Sequence, residues 1–238
     1  MTTIYLGIIS YIIIILSFVS SLLLFRSIKK RSFSLLKEFP YELKANEWKL
    51  DLCFGTSLSI GIGLLCVLCL FNFFYSNNYS FIGKSLGVEL IITNIFLIGL
   101  FVLDMNSYKS HITMTSLFYV MNFICYTTLG FVALKNYSIN HLWLVLLSFF
   151  ISFSILVSMF SPLISSWYKL KKEEKKGEEV FTRGKVFILA FIEWINIFVY
   201  LLIYVLVIIE PFIKEKNTIF KIVYFFIKQL FCFVYLKS

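Results

Sequence analysis

Apolar residues in this chain fall into six long runs, at residues 4–25, 52–75, 86–103, 112–134, 142–164 and 186–209, separated by polar stretches. Each run approaches or exceeds the roughly 20 residues that an α-helix needs to cross the hydrocarbon core of a bilayer. The pattern predicts an all-α fold, a polytopic transmembrane helical bundle of six spans. A weaker apolar segment follows at 219–238, interrupted by Lys221, Lys228 and Gln229. It reads as an interfacial helix whose lysines reach toward headgroups, with a seventh span as the alternative. The chain thus divides into a six-span membrane domain, 1–218, and a C-terminal amphipathic or seventh membrane segment, 219–238. Runs three and four, joined by the turn 104–111, form a helical hairpin around which the other spans are expected to gather.

Polar and small residues inside this pattern predict finer features. Gly55, Ser59 and Gly63 recur every fourth residue, a spacing that lets two helices approach closely. Ser148, Ser152, Ser154 and Ser158 give the fifth run a small polar stripe, read as helix-to-helix hydrogen bonding, with the lining of a polar path as the sharper alternative. After Pro40, the residues Tyr41, Ala45, Trp48 and Leu52 recur at helical spacing, which suggests a short helix lying at headgroup level; an ordinary solvated connector is the alternative. Lys169/Glu173 and Lys175/Glu179 stand four apart, so the fifth helix is expected to extend past the membrane and stop near Gly177. Glu210 and Pro211 are expected to close the sixth.

Composition supports the membrane class. Of 238 residues 60% are apolar and 15% charged, whereas a soluble domain is about 25% charged. The formal net charge is +9. In a soluble protein this would raise nucleic acid as a partner, but here the cations cluster between apolar runs. Loops 26–50, 104–111 and 165–185 hold fifteen of the 22 Lys and Arg residues. Cytoplasmic loops are rich in Lys and Arg, so these loops are expected to face the cytoplasm, with the N-terminus outside. The expected location is the cell membrane, with an organellar inner membrane as the alternative. The expected partners are the lipid bilayer and partner membrane subunits or further copies of this chain, not nucleic acid.

Orientation sets depth. Asn94, Asn122 and Asn196 lie ten or eleven residues from a cytoplasmic boundary, roughly 15 Å up their helices. Glu193 is one turn from Asn196. Asn94, Asn122, Glu193 and Asn196 therefore form a candidate binding layer inside the membrane. Their plain role is to join helices, with Asn94 and Asn122 able to bond across the hairpin, each such bond contributing about 1 kcal/mol. The sharper role is a polar cavity for a small solute, ion or lipid headgroup. A carboxylate in hydrocarbon costs several kcal/mol unless paired, protonated or wetted, so Glu193 should face the bundle interior. Glu89, near the outer end of span three, is expected to pair with Lys84, with a proton-linked role as the alternative.

No catalytic residue, metal site or cofactor is assigned. No Walker loop, H-E-x-x-H or serine elbow is present, each of which would carry specific chemistry. Asp104 and His111 read as a solvated turn and a helix start, with an acid–base pair as the alternative. His111 and His141 would lie roughly 35–45 Å apart along one helix and cannot share a metal. Cys66-x-x-Cys69 sits deep in a span and is read as packing thiols, not a redox pair. These features favour a non-enzymatic, transport-related component or accessory subunit of a membrane complex. The alternatives are a solute or ion transporter using the Asn/Glu layer and a membrane-embedded enzyme acting on lipid at the inner leaflet.

Overall fold

The computed structural model describes residues 2–44, 47–75, 81–103, 108–136, 142–160, 172–175, 178–181 and 187–213. Asp104, His141 and the tail from residue 214, including the expected boundary at 218/219, lie outside these. The fold is all-α. Its helices are α1 (Thr2–Lys29), the short α2 (Trp48–Leu50), α3 (Ser57–Cys69), α4 (Phe81–Val102), α5 (Tyr108–Asn136), α6 (Leu142–Met159) and α7 (Ile188–Ile213). Single turns of π-helix, Asp51–Thr56 and Leu70–Tyr75, extend α3 at both ends. Six helical stretches are long and apolar enough to cross a membrane. Several helices overrun their apolar runs at one end, α4 at its start and α7 at its end, because a helix satisfies its own backbone whether it lies in lipid or at its polar edge. Accordingly α7 runs on to Ile213 and is not stopped at Glu210 and Pro211.

The chain divides into two compact units, 1–200 and 201–238, with the boundary inside α7. In the first unit α1 packs on α3, α3 on α4, α4 on α5 and α5 on α6. The first half of α7 is the shared member. Its Trp194 packs edge-on against Phe18 of α1 at 5.4 Å, its Tyr200 hydroxyl donates to the Leu90 carbonyl of α4 at 3.0 Å, and its Asn196 and Val199 carbonyls accept from Asn122 and Tyr126 of α5. The α4–α5 hairpin forms as expected, but α7 ties it to α1.

The close approach of α1 and α3 occurs at Gly61, not along the Gly55–Ser59–Gly63 stripe. A Cβ on Gly61 would lie 2.7 Å from Ile14 Cγ1 and 3.4 Å from the Ile14 backbone nitrogen, whereas one on Gly63 would meet nothing within 4 Å. Spacing alone cannot decide which side of a helix meets a neighbour. In α3 the π-turn shifts the wheel: both the Ser57 N–H and its hydroxyl go to the Leu52 carbonyl, five residues back, which is the ladder of a π-turn. On α6 the serine stripe also splits. Ser148 and Ser152 are buried, and Ser152 pairs with Thr127 of α5 at 2.6 Å, while Ser154 faces outward and bonds its own helix at Phe150. Of the four serines Ser152 joins α6 to α5, and Ser148, Ser154 and Ser158 bond carbonyls of their own helix.

The first basic loop is neither a headgroup helix nor a solvated connector. Lys30, at φ 54°, takes the left-handed position that follows a helix and usually holds Gly, and the chain turns back onto the bundle end. Phe39, Tyr41 and Leu43 are buried there, while Trp48 and Leu52 of the expected stripe are 71% and 53% exposed. Glu38, Phe39, Pro40, Tyr41, Leu43 and Lys44 are all buried, so burial follows the fold-back of the chain, and of the expected helical face Tyr41 is buried while Trp48 and Leu52 are not. From Pro40 the described residues form the short 3-10 turn Pro40–Lys44 and the one-turn α2, which leads into the π-turn Asp51–Thr56. The Glu38 carboxylate fastens the segment, accepting from Arg31 at 2.6 Å and from the Ser34 N–H at 2.7 Å. Its carbonyl accepts from the Trp194 indole at 2.9 Å. Phe187 donates its N–H to Leu36 at 2.8 Å. Beyond α6, Lys172–Lys175 and Glu178–Phe181 pair as a small antiparallel hairpin where a helical extension was expected.

Candidate functional site

The site grows from two helix faces. On α5, His111, Thr115, Tyr119 and Asn122 stand at successive turns and are all buried; steps of three and four keep them on one side of the helix. On α7, Glu193, Asn196 and Tyr200 do the same, again buried. The two faces meet. Asn122 Nδ2 donates to the Asn196 carbonyl at 3.2 Å, and His111 Nε2 approaches Glu193 Oε1 to 3.7 Å. Tyr119 lies beside Glu193 and Asn196.

The folded-back loop closes the end of this cleft. The Tyr41 ring packs edge-on against the His111 imidazole, centroids 4.5 Å apart. Lys44, 5% exposed, donates to the Val102 carbonyl at 2.9 Å and pairs with Asp51 at 3.2 Å. The lysine thereby caps the last turn of α4, where carbonyls lack helical partners and a cation is favoured. His111 is thus no part of a solvated turn. It lies inside α5, 3% exposed, with Thr115 Oγ1 3.5 Å from its Nε2.

Of the four layer residues, Asn122, Glu193 and Asn196 come together. Asn94 stands apart: its Oδ1 lies 2.9 Å from the hydroxyl of Tyr200, one turn along α7 from Asn196, and shares that single proton with the Leu90 carbonyl. The Cys66 thiol lies beside the Asn94 amide. Asn94 and Asn122 do not bond across the hairpin; at that level the contact between the arms is Thr93 Oγ1 with Cys125 Sγ, at 3.3 Å. The reason is that Asn94 faces α3 and α7 while Asn122 faces α7. Glu89 takes a hydrogen bond from Ser85 at 3.0 Å in place of pairing with Lys84.

Two features qualify the chemistry. Asn196 Nδ2 donates to the Ile192 carbonyl at 3.0 Å, so both amide nitrogens of the Asn122–Asn196 pair go to backbone. Their oxygens and both Glu193 oxygens are buried with no hydrogen-bond partner. Among the described residues no three His, Cys, Asp or Glu side chains gather. The cleft therefore offers one carboxylate, one imidazole, two amide oxygens and the Tyr119 hydroxyl, with Tyr41 against His111 at its end.

Sequence reasoning assigns Tyr41 to a headgroup-level helix and does not place it, Lys44, Thr115, Trp194 or Tyr200 at this site. A signal for the α5 residues was present. His111 begins the turn-by-turn series that ends at Asn122, and reading along the helix, not across the turn to Asp104, leads to it. This chain matches no protein-family model, no curated protein and no solved structure.

Proposed function

We propose that this protein is a non-enzymatic multi-pass membrane component, an accessory or transport-related subunit of a larger assembly. The supporting observation is where the buried polar side chains go. Asn122, Tyr126, Trp194 and Tyr200 each donate to a main-chain carbonyl of another helix or of the folded loop. These are long-range joints between elements. Groups that line a solute path need free polar faces, and a catalytic centre needs a nucleophile or acid–base set aimed at substrate. Here most of that capacity holds one arrangement of helices. The N-terminus lies outside and the loops 26–50 and 165–185 are cytoplasmic, on the strength of their basic residues.

Purification from native membranes in mild detergent tests the role. The expected result is a particle containing this 27.9 kDa chain with other membrane polypeptides in fixed stoichiometry, retained after cross-linking in intact membranes. A species containing this chain alone under both conditions defeats the subunit reading. Orientation has its own test. A thiol reagent that cannot cross membranes should leave cysteines introduced at residues 30 and 175 unlabelled in intact cells and label both after the membrane is opened.

A second reading, ion or solute transport, draws on Glu193. A carboxylate 1% exposed and without a hydrogen bond is the kind of group that marks an ion pathway inside a membrane.

A further inference from the structure

The facing sides of α5 and α7 bring an imidazole and a carboxylate together inside the bundle. His111 Nε2 lies 3.7 Å from Glu193 Oε1, with 4% and 1% of the two side chains exposed. The folded loop covers the same place. Tyr41 packs its ring on the His111 imidazole. Phe39 and Tyr41 form one buried cluster with Leu189 and Ala190, on the turn of α7 that precedes Glu193. The Glu38 carbonyl holds the indole of Trp194, the residue after Glu193. Lifting residues 38–44 would open the pair to water.

Charge decides how many protons the covered pair keeps. A net charge buried away from water is strongly unfavourable. An imidazole and a carboxylate carry no net charge when they hold one titratable proton between them, on either partner. A second proton leaves a buried cation, and loss of the first leaves a buried anion. The surrounding groups do not alter this count. Thr115, beside His111, is uncharged, and the Tyr119 phenol, beside Glu193, is neutral in the ordinary pH range. The loop contributes Lys44, whose charge acts on His111, and Glu42, whose charge acts on Glu193. These two are opposite in sign and together add no net charge. Asp51, which pairs with Lys44, is more than half exposed, so water and salt screen it.

We propose that His111 and Glu193 form a binding site for one exchangeable proton, closed by loop residues 38–44, so that seating of the loop and occupancy of the site are linked. The sign follows from the wetted state. In water a carboxyl of this kind titrates at about pH 4.3 and an imidazole at about pH 6.5. Between those values the wetted pair and the covered pair both hold one proton, and seating does not depend on pH. Above about pH 6.5 the wetted pair holds none while the covered pair still holds one. Seating then takes up a proton, and rising pH opposes it by up to about tenfold per unit. The linkage holds whether the chain is a subunit or a carrier.

Amide hydrogen exchange of the full-length chain in lipid nanodiscs tests this. Exchange rates for peptides covering residues 34–44, divided by the intrinsic rate at each pH, give the protection of the loop. In the wild type, protection should be level from about pH 5 to about pH 6.5 and then fall by up to about tenfold per unit. Glu193→Gln has no proton to give up and should stay level throughout. His111→Phe keeps a ring against Tyr41 but leaves the carboxyl to titrate alone once wetted, so the fall should already be under way at about pH 5. Level protection in the wild type up to about pH 8.5, two units beyond the ordinary imidazole range, overturns the proposal and needs no variant. It is equally overturned if Glu193→Gln folds and keeps the fall, or if His111→Phe leaves the onset where it was.

Discussion

Gly61→Leu is expected to destabilise the bundle by about 3 kcal/mol, while Gly63→Leu changes stability by no more than about 0.5 kcal/mol. The two positions are two residues apart on one helix. In water the hydrophobic effect would drive such helices together, but in lipid the tails are as apolar as leucine, and close van der Waals contact does the holding. At Gly61 the neighbours are the Ile14 and Ile13 side chains, with the Ile14 backbone just behind them. The first atom of any side chain would come within 2.7 Å of Ile14 Cγ1 and close on the Ile14 nitrogen. The Cγ1 atom of Ile14 must give way first, and with Ile13 Cγ2 at 3.3 Å and the Ile14 nitrogen at 3.4 Å there is little room for the rest of a leucine, so α1 must shift. At Gly63 a side chain enters open space. Thermal unfolding in detergent, followed by a thiol-reactive dye, reads the difference, since Cys69 and Cys125 are buried in the folded chain. Equal losses at the two positions would mean that α1 and α3 do not meet at Gly61.

Trp194→Ala should also cost about 3 kcal/mol or more. The indole is 2% exposed and packs on Phe18, Phe33 and Phe198 at centroid distances of 5.4, 6.1 and 5.7 Å. Deleting it leaves a cavity where α7, α1 and the folded loop meet. Trp194→Phe keeps much of the packing and removes only the hydrogen bond to the Glu38 carbonyl, a loss of about 1 kcal/mol. The two variants differ in a second way. With Glu38 still fastened by Arg31 and Ser34, the Phe variant should keep the loop seated. The Ala variant should release it, and trypsin should then cut at the exposed Lys37 much faster than in the wild type. An unchanged cleavage rate in Trp194→Ala would show that the loop is seated without the indole.

The loop shows what the pattern of residues cannot convey. A basic, polar stretch between two spans reads as solvated, and Tyr41, Ala45, Trp48 and Leu52 offered a helical face. Yet the residues that bury are Phe39, Tyr41 and Leu43, because the bundle end presents Phe187 and the His111 edge for them to cover. That surface is made by α5 and α7, far along the chain. The same reason explains His111. Near the chain it has Asp104 for company; in the fold it stands 3.7 Å from Glu193, which is 82 residues later.

What the residues determine on their own is the class and the count: an all-α fold with six helices long and apolar enough to cross a membrane. Length and apolarity of a run are local, and a backbone in lipid has no other way to satisfy itself. The expectation that Glu193 faces inward was legible for the same kind of reason, since exposing it to lipid is prohibitive. Which faces meet was decided only in three dimensions. Gly61 and not Gly63 receives α1, Asn122 finds the Asn196 backbone and not Asn94, and Lys44 leaves the polar face to cap α4. Each of these depends on how a helix is rotated about its axis, and that rotation is set by packing against partners that the local pattern does not name.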